Sequence, residues 1–89
     1  MINEKPLLIH SIREKIISYV LENHISEYTQ ETLPLDKSLY ELEVLDSIAI
    51  VELIDFIETN WSIVIEDTEI TTEEMGSINK MADLICKKL

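Results

Sequence analysis

Asp46-Ser47-Ile48 is the place in this 89-residue chain where residue types and spacing suggest chemistry. A polar loop ends at Asp46-Ser47, and an amphipathic stretch runs on from there without glycine or proline. Either Asp46 or Ser47 can cap a helix at this point, its side-chain oxygen accepting an orphan backbone N–H. The Ser47 hydroxyl is then presented at the positive end of a helix dipole. Free N–H groups and the dipole both favour negative charge there, so the position suits an attached phosphate diester. An Asp-Ser pair at a helix start is far more often a plain cap. The weight of the reading therefore falls on what surrounds it.

The helix that presents Ser47 is expected from about Ser47 to Trp61. Ile50, Leu53, Ile54, Ile57 and Trp61 recur on one broad stripe, which predicts the core face. Glu52, Asp55 and Thr59 fall opposite, and Ile48 falls among them. Val51 lies at the boundary with Ser47 and Glu58, and Phe56 at the other edge beside Leu53. An exposed isoleucine next to a presented hydroxyl and acidic groups makes a reasonable docking contact. Ile48, Val51, Glu52, Asp55 and Glu58 are thus the candidate partner-facing surface.

Other elements must hold this helix. A first helix is expected over about Pro6 to His24, with Leu8, Ile9, Ile12, Ile16, Val20 and Leu21 at three and four spacing. Pro6 suits a first turn. The connection from about Ser26 to Leu45 is longer than most bundle loops, which predicts a packed segment. Leu33, Leu35, Leu39, Leu42 and Leu45 are its apolar anchors. After Trp61, Ser62 to Asp67 reads as a short extended piece with Ile63 and Ile65 inward. Thr71-x-x-Glu74 has capping-box form and predicts a short third helix ending at Gly76. Ser77 then caps a fourth, with Ile78, Met81, Ala82, Ile85 and Leu89 inward and Lys87 and Lys88 complementing its C-terminal dipole. No repeat or domain boundary is visible, so residues 1–89 read as a single all-α domain.

Charge narrows the function. The net charge is −11, and between Glu41 and Asn79 stand eleven acids and no Lys, Arg or His. Phosphate contacts need basic residues, so nucleic acid is a poor partner. An anionic membrane surface is disfavoured likewise, and the apolar runs are too short for membrane insertion. Basic proteins are the natural partners; the plainer alternative is a solvated acidic face. Glu66-Asp67-Thr68-Glu69 lacks the aspartate order and central glycine of a calcium loop. His10 and His24 have no ligand motif, read as surface residues, and are not placed to activate Ser47. No metal site is expected. Cys86 cannot form an internal disulfide, is compatible with a reducing cytosol, and reads as a partly buried filler. The opening MINEKPLLIH carries an acid and a proline where an apolar signal core would run. A cytoplasmic monomer is expected.

From about Asp36 to Leu89 the chain resembles the acyl carrier protein family. Asp46-Ser47-Ile48 looks like its Asp-Ser-Leu signature, and the likeness continues through Val51-Glu52-Leu53, Ile57-Glu58, Trp61, Ile63-Val64-Ile65-Glu66-Asp67 and the Ser77-Ile78 helix start. Trp61 replaces the usual Phe, and Val44 stands where many members have glycine. The first helix is similar in length and placement only. The resemblance implies a four-helix bundle with a long first loop and a short third helix. It implies that Ser47 carries 4′-phosphopantetheine, transferred from coenzyme A by a phosphopantetheinyl transferase, with Asp46 as cap or recognition element. The arm's thiol would hold acyl or aminoacyl groups as thioesters. An activating ligase and acyl-transferring or condensing enzymes would then be the partners, and the chain itself would not be an enzyme.

Leu45-Asp46-Ser47 is similar to the form seen in free-standing carriers loaded by AMP-forming ligases, D-alanyl carriers among them. Fatty-acid carriers more often have Gly-x-Asp-Ser-Leu. A discrete carrier in a dedicated biosynthetic pathway is the expectation. The competing reading is a small acidic adaptor that binds basic proteins with no prosthetic group. A hydrolase using Ser47 would lack a base, an orienting acid and an oxyanion hole.

Overall fold

Runs of apolar residues three and four apart produce helices throughout. The structure, a computed structural model, describes residues 5–23 and 27–89 and is all-helical over them, with no strand. Helix α1 spans Lys5–Asn23, α2 Ser47–Trp61 and α4 Ile78–Lys88, with a single helical turn, α3, at Thr72–Met75. A 3-10 turn at Asp67–Glu69 precedes α3.

On α1 the buried residues are Ile12, Ile16, Ile17 and Val20, with Ile9 and Leu21 partly covered. Leu8, expected inward, is exposed, and Ile17 is buried instead. The buried face follows what covers it: α1 packs along α4, and its Tyr19 ring stacks on Phe56 of α2 at 4.3 Å. Pro6 stands in the first turn, where its missing N–H costs nothing. His24 and Ser26, the expected end of the helix and start of the connection, lie outside the described residues.

Helix α2 has the expected bounds, but its core face is turned. Ala49, Leu53 and Ile57 are buried, whereas Ile50, Ile54 and Trp61 are only partly covered. The contact of α1 at Phe56 draws the buried stripe toward Ala49 and leaves Ile54 against a cavity. The helix ends at Ser62, a non-glycine residue in the left-handed region at φ 54° and ψ 47°. Both the Ser62 and the Ile63 N–H donate to the Glu58 carbonyl, closing the last turn. A Cβ is disfavoured in that conformation, so Ser62→Gly should raise stability by about 0.5–1 kcal/mol. A urea midpoint moved upward at unchanged slope would show it; an unmoved or lower midpoint would contradict it.

The long connection is packed, as its leucines predict. Leu33, Leu39, Val44 and Leu45 are buried, and Leu35 and Leu42 lie against the same cluster. The Asn79 N–H donates to the Leu35 carbonyl at 3.0 Å, and the Asn79 side-chain amide donates to Asp36 at 2.6 Å. The connection is thereby tied to the start of α4. After α2, Ile65 is buried and Ile63 partly so, while Val64 between them is exposed, the alternation of an extended segment.

Thr71 caps α3 by accepting the Glu74 N–H at 3.1 Å. The return half of the box is not made, because the Thr71 N–H is already used on the Glu69 carbonyl. Ser77, itself buried, accepts the Lys80 N–H at 3.2 Å and caps α4. Ile78, Met81, Ala82 and Ile85 face inward, joined by Leu84. Leu89 is exposed rather than inward, since it follows the last helical turn. Lys88 reaches back to Glu69 at 2.7 Å. That hydrogen bond, helped by the Glu66 N–H, holds the Glu69 carboxyl below its usual range.

Candidate functional site

Position and polarity at the start of α2 follow from one division of labour. Asp46 adopts an extended backbone and its carboxylate accepts the Ala49 N–H at 2.8 Å, while its carbonyl accepts the Ile50 N–H at 3.0 Å. Asp46, not Ser47, is therefore the cap. Ser47 becomes the first residue of the helix and is exposed. Its hydroxyl makes no hydrogen bond among the described residues, and neither the Ser47 nor the Ile48 N–H has a protein acceptor there. An unengaged hydroxyl thus stands beside two unengaged amides at the positive end of a 15-residue helix.

The loop that delivers Ser47 turns tightly just before it. Glu43, at φ 61°, takes the left-handed conformation. Val44 and Leu45 both donate backbone N–H groups to the Leu39 carbonyl and bury their side chains. Val44 is thus an apolar anchor, and the special backbone geometry sits one residue earlier.

Of the expected docking residues, Ile48 is 72% exposed and Val51 66%. Glu52 and Asp55 are exposed one turn further along the same side. Glu58 is placed differently: it is partly buried and accepts the Ile65 N–H at 2.9 Å. Its carboxylate fastens the extended segment to α2. Glu58→Ala would leave a buried amide unpaired, at a cost of about 1–3 kcal/mol. Glu52→Ala, with no such bond, should change stability by less than about 0.5 kcal/mol. Denaturant melts of the two variants give the comparison; equal melts would mean that Glu58 serves only as surface.

Compared with models of known protein families and with curated proteins, the chain matches none.

Two further features flank α2. On one side lies a cavity of about 310 Å³ lined by Leu39, Leu45, Ile50, Ile54, Ile70 and Met75, with exposed Tyr40 at its edge. On the other, α1 and α2 form a shallow groove floored by Tyr19 and Phe56. Burial, and then the carboxylates Glu52 and Asp55, push the Tyr19 phenol above its ordinary pKa. Sequence periodicity can find the polar stripe Ser11, Glu14, Ser18 and Glu22 on α1. It cannot say that this stripe lies beside Glu52 and Asp55, because that depends on how two helices pack.

His10 is exposed and pairs with Glu14 at 3.2 Å. Cys86 is half-buried near the end of α4. Among the described residues no three His, Cys, Asp or Glu side chains converge as a metal site, and no helix is long and apolar enough to cross a membrane.

Proposed function

We propose that the protein is a carrier of the acyl carrier type, holding acyl or aminoacyl groups on a 4′-phosphopantetheine arm attached to Ser47. The observation that carries the reading is the Ser47 hydroxyl itself, exposed and without a hydrogen bond among the described residues, Asp46 being the cap of α2. The resemblance of Asp46-Ser47-Ile48 and the residues after it to that family supplies the identity of the arm.

The residues present suit such a group. A phosphate diester on Ser47 would meet the Ser47 and Ile48 N–H groups and the helix dipole. Neither His10 nor His24 is placed by the sequence to activate the hydroxyl, which suits modification by a separate transferase. When attached, the arm contributes a thiol for thioester chemistry. This chain's own residues present it, and the apolar cavity bordered by Leu45 and Ile50 offers room for a modest acyl group.

The helices then correspond to the four-helix architecture of the family, with Thr72–Met75 as the short third one. In this reading the chain is not an enzyme. Its partners are the transferase, an activating ligase and acyl-accepting enzymes, and Ile48, Val51, Glu52 and Asp55 form the face they approach. Leu45-Asp46-Ser47 favours a discrete carrier loaded by an AMP-forming ligase over a fatty-acid carrier. The test is direct. The protein is incubated with coenzyme A and a broad-specificity phosphopantetheinyl transferase, and its intact mass is measured. One arm per chain is expected. No gain of mass would instead favour an acidic adaptor.

A further inference from the structure

The packed connection hands the chain to α2 through one unfavourable backbone conformation. Residues 38–44 form a single bonded turn: the Leu42 N–H donates to the Ser38 carbonyl at 3.0 Å, and the Ser38 hydroxyl accepts the Glu41 N–H at 3.2 Å. The turn ends as helices often end. The Glu43 N–H donates back to the Tyr40 carbonyl at 3.0 Å, and the Val44 N–H reaches across to the Leu39 carbonyl at 3.0 Å. Leu39 and Val44 are buried in one cluster, as such an ending favours. The pattern needs a left-handed residue at position 43, a place usually taken by glycine. Here Glu43 takes it, at φ 61°.

The side chain of Glu43 does nothing to offset that conformation. It is exposed and makes no hydrogen bond or ion pair among the described residues. The neighbours hold it instead: Leu45 is 2% exposed, and its N–H shares the Leu39 carbonyl with that of Val44. Asp46 follows at once, its carboxylate on the Ala49 N–H, and Ser47 comes next. Only Val44 and Leu45 thus separate the left-handed residue from the cap of α2. With φ negative at residue 43, both N–H groups would swing off the Leu39 carbonyl and both side chains would lift. The Asp46 carboxylate would lose its aim, and the first turn of α2, where Ser47 stands, would fray. A strained residue fixed by its surroundings beside a reacting group points to a functional constraint.

We propose that Glu43 is a positioning residue for the modification of Ser47, acting through its backbone. Its left-handed conformation seats Val44 and Leu45, and so holds Asp46 and the Ser47 hydroxyl where a transferase can reach them. The carboxylate takes no part. This role rests on the reading of Ser47 as the attachment point, and the wild type is the control on that reading.

Single substitutions at residue 43 separate torsion from charge. Glu43→Gly accepts the left-handed region freely, and Glu43→Gln keeps its cost while removing the carboxylate. Glu43→Val raises the cost, and Glu43→Pro forbids the conformation. Transfer of the arm from coenzyme A is timed by intact mass, at a temperature where melting curves show each chain folded. Rates per folded chain should stay within about twofold of wild type for Glu43→Gly and Glu43→Gln. They should fall about threefold for Glu43→Val and at least about tenfold for Glu43→Pro. Measured against Glu43→Gln, neither loss should shrink as salt rises, since no charged contact is at issue. Glu43→Val and Glu43→Pro modified at the wild-type rate would overturn the proposal. So would an equal loss in every variant, which would make the carboxylate the group that is read. If Glu43→Pro does not fold, Glu43→Val against Glu43→Gln decides. A wild type that takes no arm overturns the reading of Ser47, and this role with it. A modified wild type with indifferent variants overturns this role alone.

Discussion

Ser47→Ala should abolish attachment of phosphopantetheine completely while leaving the fold intact. The hydroxyl is the atom that would bond to phosphorus, and among the described residues it makes no hydrogen bond whose loss would matter. Alanine is also a better helix former than serine, so thermal melting should be unchanged or slightly raised. Five of the other serines show why the effect should be all or none: Ser11 and Ser18 lie in the interior of α1, away from any helix start, and three more are placed no better. Ser77 is buried and spends its oxygen on the Lys80 N–H. Ser38 spends its oxygen on the Glu41 N–H. Ser62 is exposed, but it stands at the negative end of the α2 dipole. Peptide mapping of the modified wild type should therefore place the arm on Ser47 alone. A well-folded Ser47→Ala protein that still gained the arm would end the assignment.

The second large effect is on stability. Ile57 is fully buried, at the point where α2 meets the rest of the core. Ile57→Ala removes apolar contacts on every side and leaves a cavity, a change that typically costs about 2–5 kcal/mol. Small domains often have little more than that in total, so much of the variant should be unfolded at moderate temperature. Ile54→Ala should cost less, about 1–2 kcal/mol, because Ile54 is partly covered and already borders a cavity. Ranking the two by urea midpoint tests the placement of the core face. Equal losses would mean that α2 is turned as its residue spacing alone suggests.

That contrast shows where sequence is sufficient and where it is not. The bounds of α2, the caps at Thr71 and Ser77, the anchoring leucines and the inward turn of Ile65 are local matters, set by residues within a few positions of one another. The rotation of α2 is not local. Residue spacing allows a broad stripe from Leu53 to Ile54, and the Tyr19–Phe56 stack decides which part is buried. The choice of cap follows the same logic, since Asp46 and Ser47 are both competent and only the backbone geometry selects Asp46. Glu58 faces neither wholly outward nor inward by periodicity, and its use on the Ile65 N–H becomes visible only when the chain folds back. At the Ser47 site, the hydroxyl and its helix are written in adjacent residues. The groove beside it is written on two helices separated by the whole connection.

The ties from Asn79 to Leu35 and Asp36 bear on how this molecule breathes. Asp36 and Asn79 are 43 residues apart, so their bond closes the chain across all of α2. A long surface connection usually opens by itself, at small cost and often. Here the segment that leads to Ser47 cannot lift away without releasing the first turn of α4, which is packed on α1. Amide protons near Asn79 and along Leu39–Leu45 should consequently exchange with solvent together, in the same slow opening. The Ser47 hydroxyl is thus held at the end of a strap fastened to the start of α4.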